Sequence, residues 1–129
     1  MTLTKIALLI TFSALVVTPL AACAAPDDGW LGRVPSGDQA QKIPVRKRAG
    51  AIRTGQQTFR NHCAQCHGGS GECSNRAPAL VSFRVQHRAT DGDLHWLLVN
   101  GNRERGMPSW SKLGDLQIWQ VISYVRTLR

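Results

Sequence analysis

The sequence has few of the features with which small proteins stabilise themselves. Aromatic residues make up only 6% of its 129 positions, and its four cysteines are too few for a disulfide-dense scaffold. The length allows one domain with extensions. A modest core in a domain of this size often needs a metal or a cofactor to complete it.

Internal repeats and hairpin signals are also missing, and acidic residues are scarce. Sixteen lysines and arginines stand against eight acidic residues, which gives a formal net charge of +8. A basic balance suits acidic proteins, anionic membrane surfaces or nucleic acid. Because the basic residues are scattered and no recognition-helix motif is present, we predict no nucleic-acid binding.

Residues 1–22 predict an export signal. Lys5 precedes an apolar stretch over residues 6–17, which is too short for a comfortable membrane span. The segment Leu20-Ala21-Ala22-Cys23 resembles the lipobox of bacterial lipoproteins, which implies that Cys23 is lipidated and anchors the chain in the bacterial periplasm or cell envelope. Cleavage after Ala24 or Ala25 is the alternative, and it would remove Cys23.

Residues 23–50 predict a flexible linker, because proline and glycine punctuate them and no apolar periodicity survives. The basic run Arg46-Lys47-Arg48 is either solvated or in contact with anionic lipid. Trp30 and Leu31 have two possible docking places, the folded domain or the bilayer.

Residues 51–129 predict an all-α domain of three to five helices with long loops. A first helix is expected over residues 51–64, where Gly55 indicates close approach of another element. A second covers residues 91–99, with Thr90 and Asp93 in a capping box. The last covers residues 115–128 and buries a face of apolar residues at helical spacing: Ile118, Val121, Ile122, Val125 and Leu128.

The run Cys63-Ala64-Gln65-Cys66-His67 is a C-x-x-C-H motif, which is typical of covalent haem attachment. The two thiols can add to the two vinyl groups of one porphyrin, and His67 is then placed to ligate the iron. A thioredoxin-like redox pair would require a βαβ pattern, and a zinc site would require a second ligand pair at matched spacing. Neither is present, so we predict one haem c held through Cys63 and Cys66.

Met107 is the main candidate for the second axial ligand. It is the only methionine left after removal of the signal, and it lies between Gly106 and Pro108 outside any apolar helical stripe. Core packing is the ordinary role of a methionine, whereas a loop position suits a ligand. His87 and, less favourably, His95 are rivals for this position, and an open site is a further alternative.

With these motifs in order, residues 51–129 resemble a class I bacterial cytochrome c. Gly55 and Phe59 are similar to the glycine and aromatic residue of the family's N-terminal helix, and Tyr124 is similar to their partner on the C-terminal helix. Pro78 lies in a loop that resembles the family's proline loop. The segment Gly106-Met107-Pro108 resembles its methionine loop, and parts of the chain resemble cytochrome domains that accompany quinoprotein dehydrogenases.

The resemblance implies a fold in which the N- and C-terminal helices pack together beside one haem. It implies that the Pro78 carbonyl orients His67, and that Leu80, with Leu97 and Leu98, packs on the haem. Arg76 and Trp110 are candidates for contact with a haem propionate or are ordinary surface residues.

The implied function is single-electron transfer, with no small-molecule substrate. The expected partners are a periplasmic dehydrogenase or quinol-oxidising complex and a terminal oxidase or reductase. Arg103, Arg105 and Lys112 either steer an acidic partner or are simply solvated. Alternatives are a haem enzyme or gas sensor with an open sixth position, and a subunit that relays electrons within one complex.

Cys73 departs from the family pattern. It is expected to be a shielded thiol, to form an intermolecular disulfide, or to pair with Cys23 if lipidation fails.

Overall fold

The computed structural model describes residues 29–45 and 48–129. Within these ranges the only β pairing is an isolated bridge between Asn102 and Met107, so the predicted all-α class is confirmed. The described residues form five α-helices: α1 (Ser36–Gln39), α2 (Ala49–His62), α3 (Ala64–His67), α4 (Asp91–Asn100) and α5 (Asp115–Val125). Shorter elements lie at Leu31–Arg33, Arg84–Arg88, Arg103–Arg105 and Ser111–Leu113.

Helices α2 and α5 pack against each other at backbone distance, as the resemblance implied. Phe59 is 0% exposed, and its ring centroid lies 5.3 Å from that of Tyr124. A Cβ atom at Gly55 would lie 1.9 Å from the backbone oxygen of Gln120, so only glycine allows this crossing. The close approach of another element, predicted from Gly55, is therefore confirmed, and that element is α5.

Helix α4 begins at the predicted capping box. The Thr90 hydroxyl accepts a hydrogen bond from the Asp93 amide at 3.0 Å, and the Asp93 carboxylate accepts one from the Thr90 amide at 2.7 Å. Two amides that the helix cannot satisfy internally are thereby paired. The helix ends at Asn100, and Gly101 follows with φ at 73°.

Helix α5 buries the predicted apolar face, since Ile118, Val121, Ile122 and Val125 are all buried. It ends at Val125, whereas the sequence pattern predicted residue 128. Leu128 remains buried because the chain continues in turns, with its amide donating to the Val125 carbonyl at 3.1 Å. Apolar spacing alone does not distinguish the last helical turn from such turns.

A buried ion pair joins Arg126, which directly follows α5, to Asp91, the first residue of α4. Arg126 Nε lies 2.9 Å from Asp91 Oδ1, and both side chains are less than a tenth exposed. The same guanidinium donates to the carbonyl oxygens of Val85 and Ala89. These bonds fix the π-helical turn Arg84–Arg88, which the sequence pattern did not predict.

Residues 29–45, called the strap, pack against the folded domain, whereas the sequence predicted a flexible linker over residues 23–50. Trp30, Val34 and Ile43 are buried in one core cluster with side chains of α4 and α5. Sequence reasoning missed this because only Trp30 and Val34 stand at helical spacing, and one such pair, with Ile43 out of phase, does not predict a buried element. Of the two docking places predicted for Trp30, the structure shows the folded domain.

The strap also approaches α4 at backbone distance. A Cβ atom at Gly92, in the first turn of α4, would lie 1.7 Å from the Asp38 carbonyl oxygen. The basic run at residues 46–47, the export signal and Cys23 lie outside the described residues. Among the helices that are described, none combines the length and the apolar character needed to cross a membrane.

Candidate haem site

The C-x-x-C-H motif opens onto a cavity of about 430 Å³ that the packed helices enclose. Cys63, Cys66, His67 and Met107 all line it, so the structure brings the predicted attachment and ligand residues together. Its apolar walls come from every part of the domain. They include Trp30, Phe59, Leu80, Val85, Leu94, Leu97, Leu98, Val121, Ile122 and Val125.

The two thiols are placed by a break between α2 and α3. Helix α2 ends with the Cys63 amide donating to the Phe59 carbonyl at 2.8 Å, and the single turn of α3 then carries Cys66 and His67. Burial, together with the neighbouring Cys66, raises the pKa of the Cys63 thiol to about 11. Both thiols are free, and an environment that disfavours thiolate suits an uncharged thioether.

His67 is oriented by the backbone of the loop that follows it. Its Nδ1 lies 3.1 Å from the Pro78 carbonyl oxygen, the contact that the resemblance implied. With the Nδ1–H donating to this carbonyl, Nε2 is the ring nitrogen that carries the free electron pair. Burial lowers the pKa of His67, and the hydrogen bond to Pro78 only partly opposes that shift. Because the net effect disfavours the protonated ring, the imidazole is neutral and able to bind a metal.

The loop between the motif and Pro78 is held by Ser74. Its hydroxyl donates to the Cys66 carbonyl oxygen, and the same hydroxyl accepts the Arg76 amide at 2.9 Å. The Ser74 amide donates to the Ala77 carbonyl at 3.1 Å, directly before Pro78. Ser74 therefore positions the Pro78 carbonyl, a role that sequence reasoning missed because serine is common in loops of every kind.

Met107 lies in a tight loop closed on itself by two backbone hydrogen bonds. The Asn102 amide donates to the Met107 carbonyl at 2.9 Å, and the Met107 amide donates to the Asn102 carbonyl at 3.0 Å. Gly101 precedes the loop, and a Cβ there would lie 2.7 Å from the Pro108 carbonyl carbon. The loop thus presents Met107 to the cavity from a fixed backbone.

The rival histidines lie elsewhere. His87 is exposed and packs against the Phe83 ring at 4.9 Å between centroids. His95 stacks on Trp119 at 4.2 Å, and its Nε2 lies 2.6 Å from Asp115 Oδ1. Neither of the two lines the cavity.

The other predicted contact residues do line the cavity: Leu80, Leu97, Leu98, Arg76 and Trp110. Trp110 also packs against the His62 ring at 5.3 Å between centroids. Among the described residues no group of three or more histidine, cysteine, aspartate or glutamate side chains could hold a metal ion. The donors that converge are those of a haem site.

Cys73 is disulfide-bonded, so the expectation of a shielded thiol is wrong and the alternative expectation of a disulfide at this residue is confirmed. It is also the one non-glycine residue in the described ranges with positive φ, at 124°. Since Cys23 lies outside those ranges, its lipidation stays a prediction.

An all-helical fold in which α2 and α5 pack together, with two free thiols and a histidine at one cavity, defines a monohaem c-type cytochrome. Residues 50–125 match the family model described as cytochrome c oxidase, cbb3-type, subunit III, and the chain belongs to that family. No curated protein matches the chain.

Two solved structures of cytochrome cL share the fold. That from the marine methylotrophic bacterium Methylophaga aminisulfidivorans MPT matches with a TM-score of 0.55 and 24% identity over 65% of this chain and 57% of its own. That from Hyphomicrobium denitrificans matches with a TM-score of 0.56 and 20% identity over 75% of this chain and 64% of its own. The chain therefore spans less than two thirds of either structure.

Together these findings establish the cofactor. The chain carries one haem c, bound covalently through Cys63 and Cys66. The apolar cavity and the neutral, oriented imidazole of His67 fit that group.

Proposed function

We propose that this chain is a single-electron carrier of the bacterial cell envelope, in which His67 and Met107 would bind the iron of its haem. When bound, haem c supplies an iron that cycles between the ferrous and ferric states. The observation that carries the proposal is the placement of Met107 on the same cavity as Cys63, Cys66 and His67. Two protein ligands leave no position at the metal for a substrate, so the chain is a carrier and not an enzyme.

The residues of the site limit rearrangement between the two oxidation states. The Pro78 carbonyl holds the ring of His67, and the paired backbone of Asn102 holds Met107. A thioether ligand favours the ferrous state more than a second imidazole would, so Met107 raises the reduction potential. The apolar walls exclude water and favour the less charged state in the same direction.

The surface beside the methionine loop supports an acidic redox partner. Arg103 and Lys112 are exposed, and they line a shallow groove together with Met107 and Pro108. Positive charge at the point nearest the ligand loop would steer an acidic protein there and would lose its effect at high salt. A periplasmic dehydrogenase or quinol-oxidising complex would be the donor, and a terminal oxidase or reductase the acceptor.

Attachment to the membrane through a lipid on Cys23 completes the proposal, and it requires that the disulfide of Cys73 joins another molecule, because Cys63 and Cys66 are free. Its support is the apolar stretch and the lipobox-like segment before Cys23. Mass spectrometry of the purified, mature chain tests it, since a diacylated N-terminus adds the mass of the lipid. A Cys23–Cys73 bridge would use the same sulfur atom, so its detection would exclude lipidation.

Optical spectra of the matured, haem-loaded protein test the ligand assignment. We expect the weak far-red band that marks methionine on ferric haem, and slow binding of carbon monoxide to the ferrous protein. Met107→Leu should lose the band, lower the reduction potential and bind carbon monoxide rapidly, whereas the control His87→Ala should change none of these. Absence of the band from the unmodified protein, with fast carbon monoxide binding, would favour a sensor or enzyme with an open site.

A further inference from the structure

Two residues of the strap reach the haem site from a part of the chain that precedes the family match at residue 50. Trp30 lines the haem cavity and is only 7% exposed. Arg33 donates from Nη2 to Asn102 Oδ1 at 3.3 Å, and its Nη1 lies 3.7 Å from Glu104 Oε2. The strap therefore contacts both the cavity wall and the methionine loop.

Asn102 is the residue through which Arg33 acts. It is 7% exposed, and it makes both backbone hydrogen bonds that close the loop on Met107. A hydrogen bond to its side chain thus restrains the residue whose main chain holds the sixth ligand. Glu104, the second partner of Arg33, lies in the 3-10 turn Arg103–Arg105 within the same loop.

The strap has a fixed position from which Arg33 can act. Val34 and Ile43 are buried beside α4 and α5, and the Asp38 carbonyl contacts α4 at Gly92 with no room for a side chain. Because Trp30 and Val34 anchor the strap on either side of Arg33, its backbone is held in place, and the bond to Asn102 transmits the position of the strap to the loop.

We propose that the strap positions the Met107 ligand, with Arg33 as the positioning residue. The inference rests on the proposed function, in which Met107 binds the iron. If the Arg33–Asn102 bond favours the closed loop, its loss raises the fraction of molecules in which the sixth position is open. The apparent affinity of an added iron ligand then rises by the same factor.

Imidazole titration of the full-length, haem-loaded ferric protein measures that fraction. Arg33→Gln should bind imidazole about threefold to tenfold more tightly, the range expected for one hydrogen bond from a partly exposed charge. Lys42→Gln is the matched control, because it removes one exposed cation from the same strap. Arg33→Lys, which keeps the charge but loses the planar fork, should fall between them.

A second pair of variants tests the strap without changing a charge. Gly92→Ala places a methyl group where the Asp38 carbonyl now lies, so it should displace the strap and also tighten imidazole binding. Gly50→Ala is the control, since a Cβ there meets nothing within 4 Å. Helix content measured by circular dichroism should be unchanged in all variants.

The outcomes separate this inference from the function on which it rests. If Arg33→Gln and Gly92→Ala bind imidazole no more tightly than their controls, while the unmodified protein shows the far-red methionine band, the strap has no role at the ligand and the inference fails alone. If the unmodified protein lacks that band, the Met107 assignment fails first, and the inference fails with it.

Discussion

Substitution of Gly55 by alanine measures how much the crossing of α2 and α5 contributes to the domain. The added Cβ would lie 1.9 Å from the Gln120 carbonyl oxygen and 3.0 Å from the Val121 amide nitrogen, which are backbone atoms that cannot rotate away. To reach ordinary contact the helices must separate by about 1.5 Å at this point, since packed atoms lie about 3.5 Å apart. Phe59 and Tyr124, which pack beside the crossing, would lose contact as a result.

The magnitude follows from two opposing effects. Overpacking of a close interface costs about 1–3 kcal/mol, occasionally more, and a backbone clash belongs at the upper end. Alanine in a helix interior gains back up to about 1 kcal/mol relative to glycine. Gly50→Ala gains the same propensity without a clash, because its Cβ meets nothing within 4 Å. We therefore expect Gly55→Ala to be about 3 kcal/mol less stable than Gly50→Ala.

Thermal and urea unfolding of the haem-loaded protein, followed by far-ultraviolet circular dichroism, provide the assay. A difference of about 3 kcal/mol corresponds to a fall of more than about 10 °C in Tm for a domain of this size. Equal stability of the two variants would refute the backbone contact between α2 and α5. It would also show that the close packing of α2 and α5 does not depend on the missing side chain at Gly55.

Three further results are expected from the same structure. Lys112→Gln should slow oxidation of the protein by the anion ferricyanide at low salt and speed its reduction by the cation hexaammineruthenium, because the variant removes a positive charge beside the methionine loop. Arg53→Gln, which removes a positive charge from α2, should change neither rate. Equal effects of the two variants would contradict electrostatic steering at the methionine loop. Asp91→Ala should lower the free energy of unfolding by about 3 kcal/mol in urea titrations, because it leaves a buried guanidinium without its carboxylate; a loss below about 1 kcal/mol would contradict the buried pair. Gly101→Ala should lower the free energy of unfolding of the domain by about 2 kcal/mol more than Gly106→Ala does. Both glycines have positive φ, but only the Cβ added at residue 101 would meet backbone atoms. A reversed order of the two variants in thermal unfolding would contradict the loop geometry.

The features that the sequence predicted correctly depend on local pattern. The C-x-x-C-H motif, the capping box at Thr90 and the buried face of α5 each follow from residues close together in the chain, so spacing alone identifies them. Gly55 is a long-range feature, but its effect is visible locally as a glycine inside a helical pattern. Met107 lines the cavity from a loop, and its role as a ligand of the iron stays a prediction.

The features that were missed depend on contacts between distant segments. Trp30 and Arg33 lie in a proline- and glycine-rich stretch that has no period, and their partners come tens of residues later. The turn Arg84–Arg88 is held by the side chain of Arg126, not by its own composition. Ser74 acts through a hydroxyl whose partner is a backbone carbonyl, which no residue pattern marks.

The residues that attach the haem and some of the residues that enclose it lie in different segments of the chain. Cys63 and Cys66 precede α5, yet Val121, Ile122 and Val125 of α5 form part of the cavity wall. A chain that stopped before residue 115 would keep every atom needed for thioether attachment but would leave that side of the porphyrin in water. Such a fragment should still acquire its haem but fail as a carrier, because an iron exposed to water has a lower reduction potential.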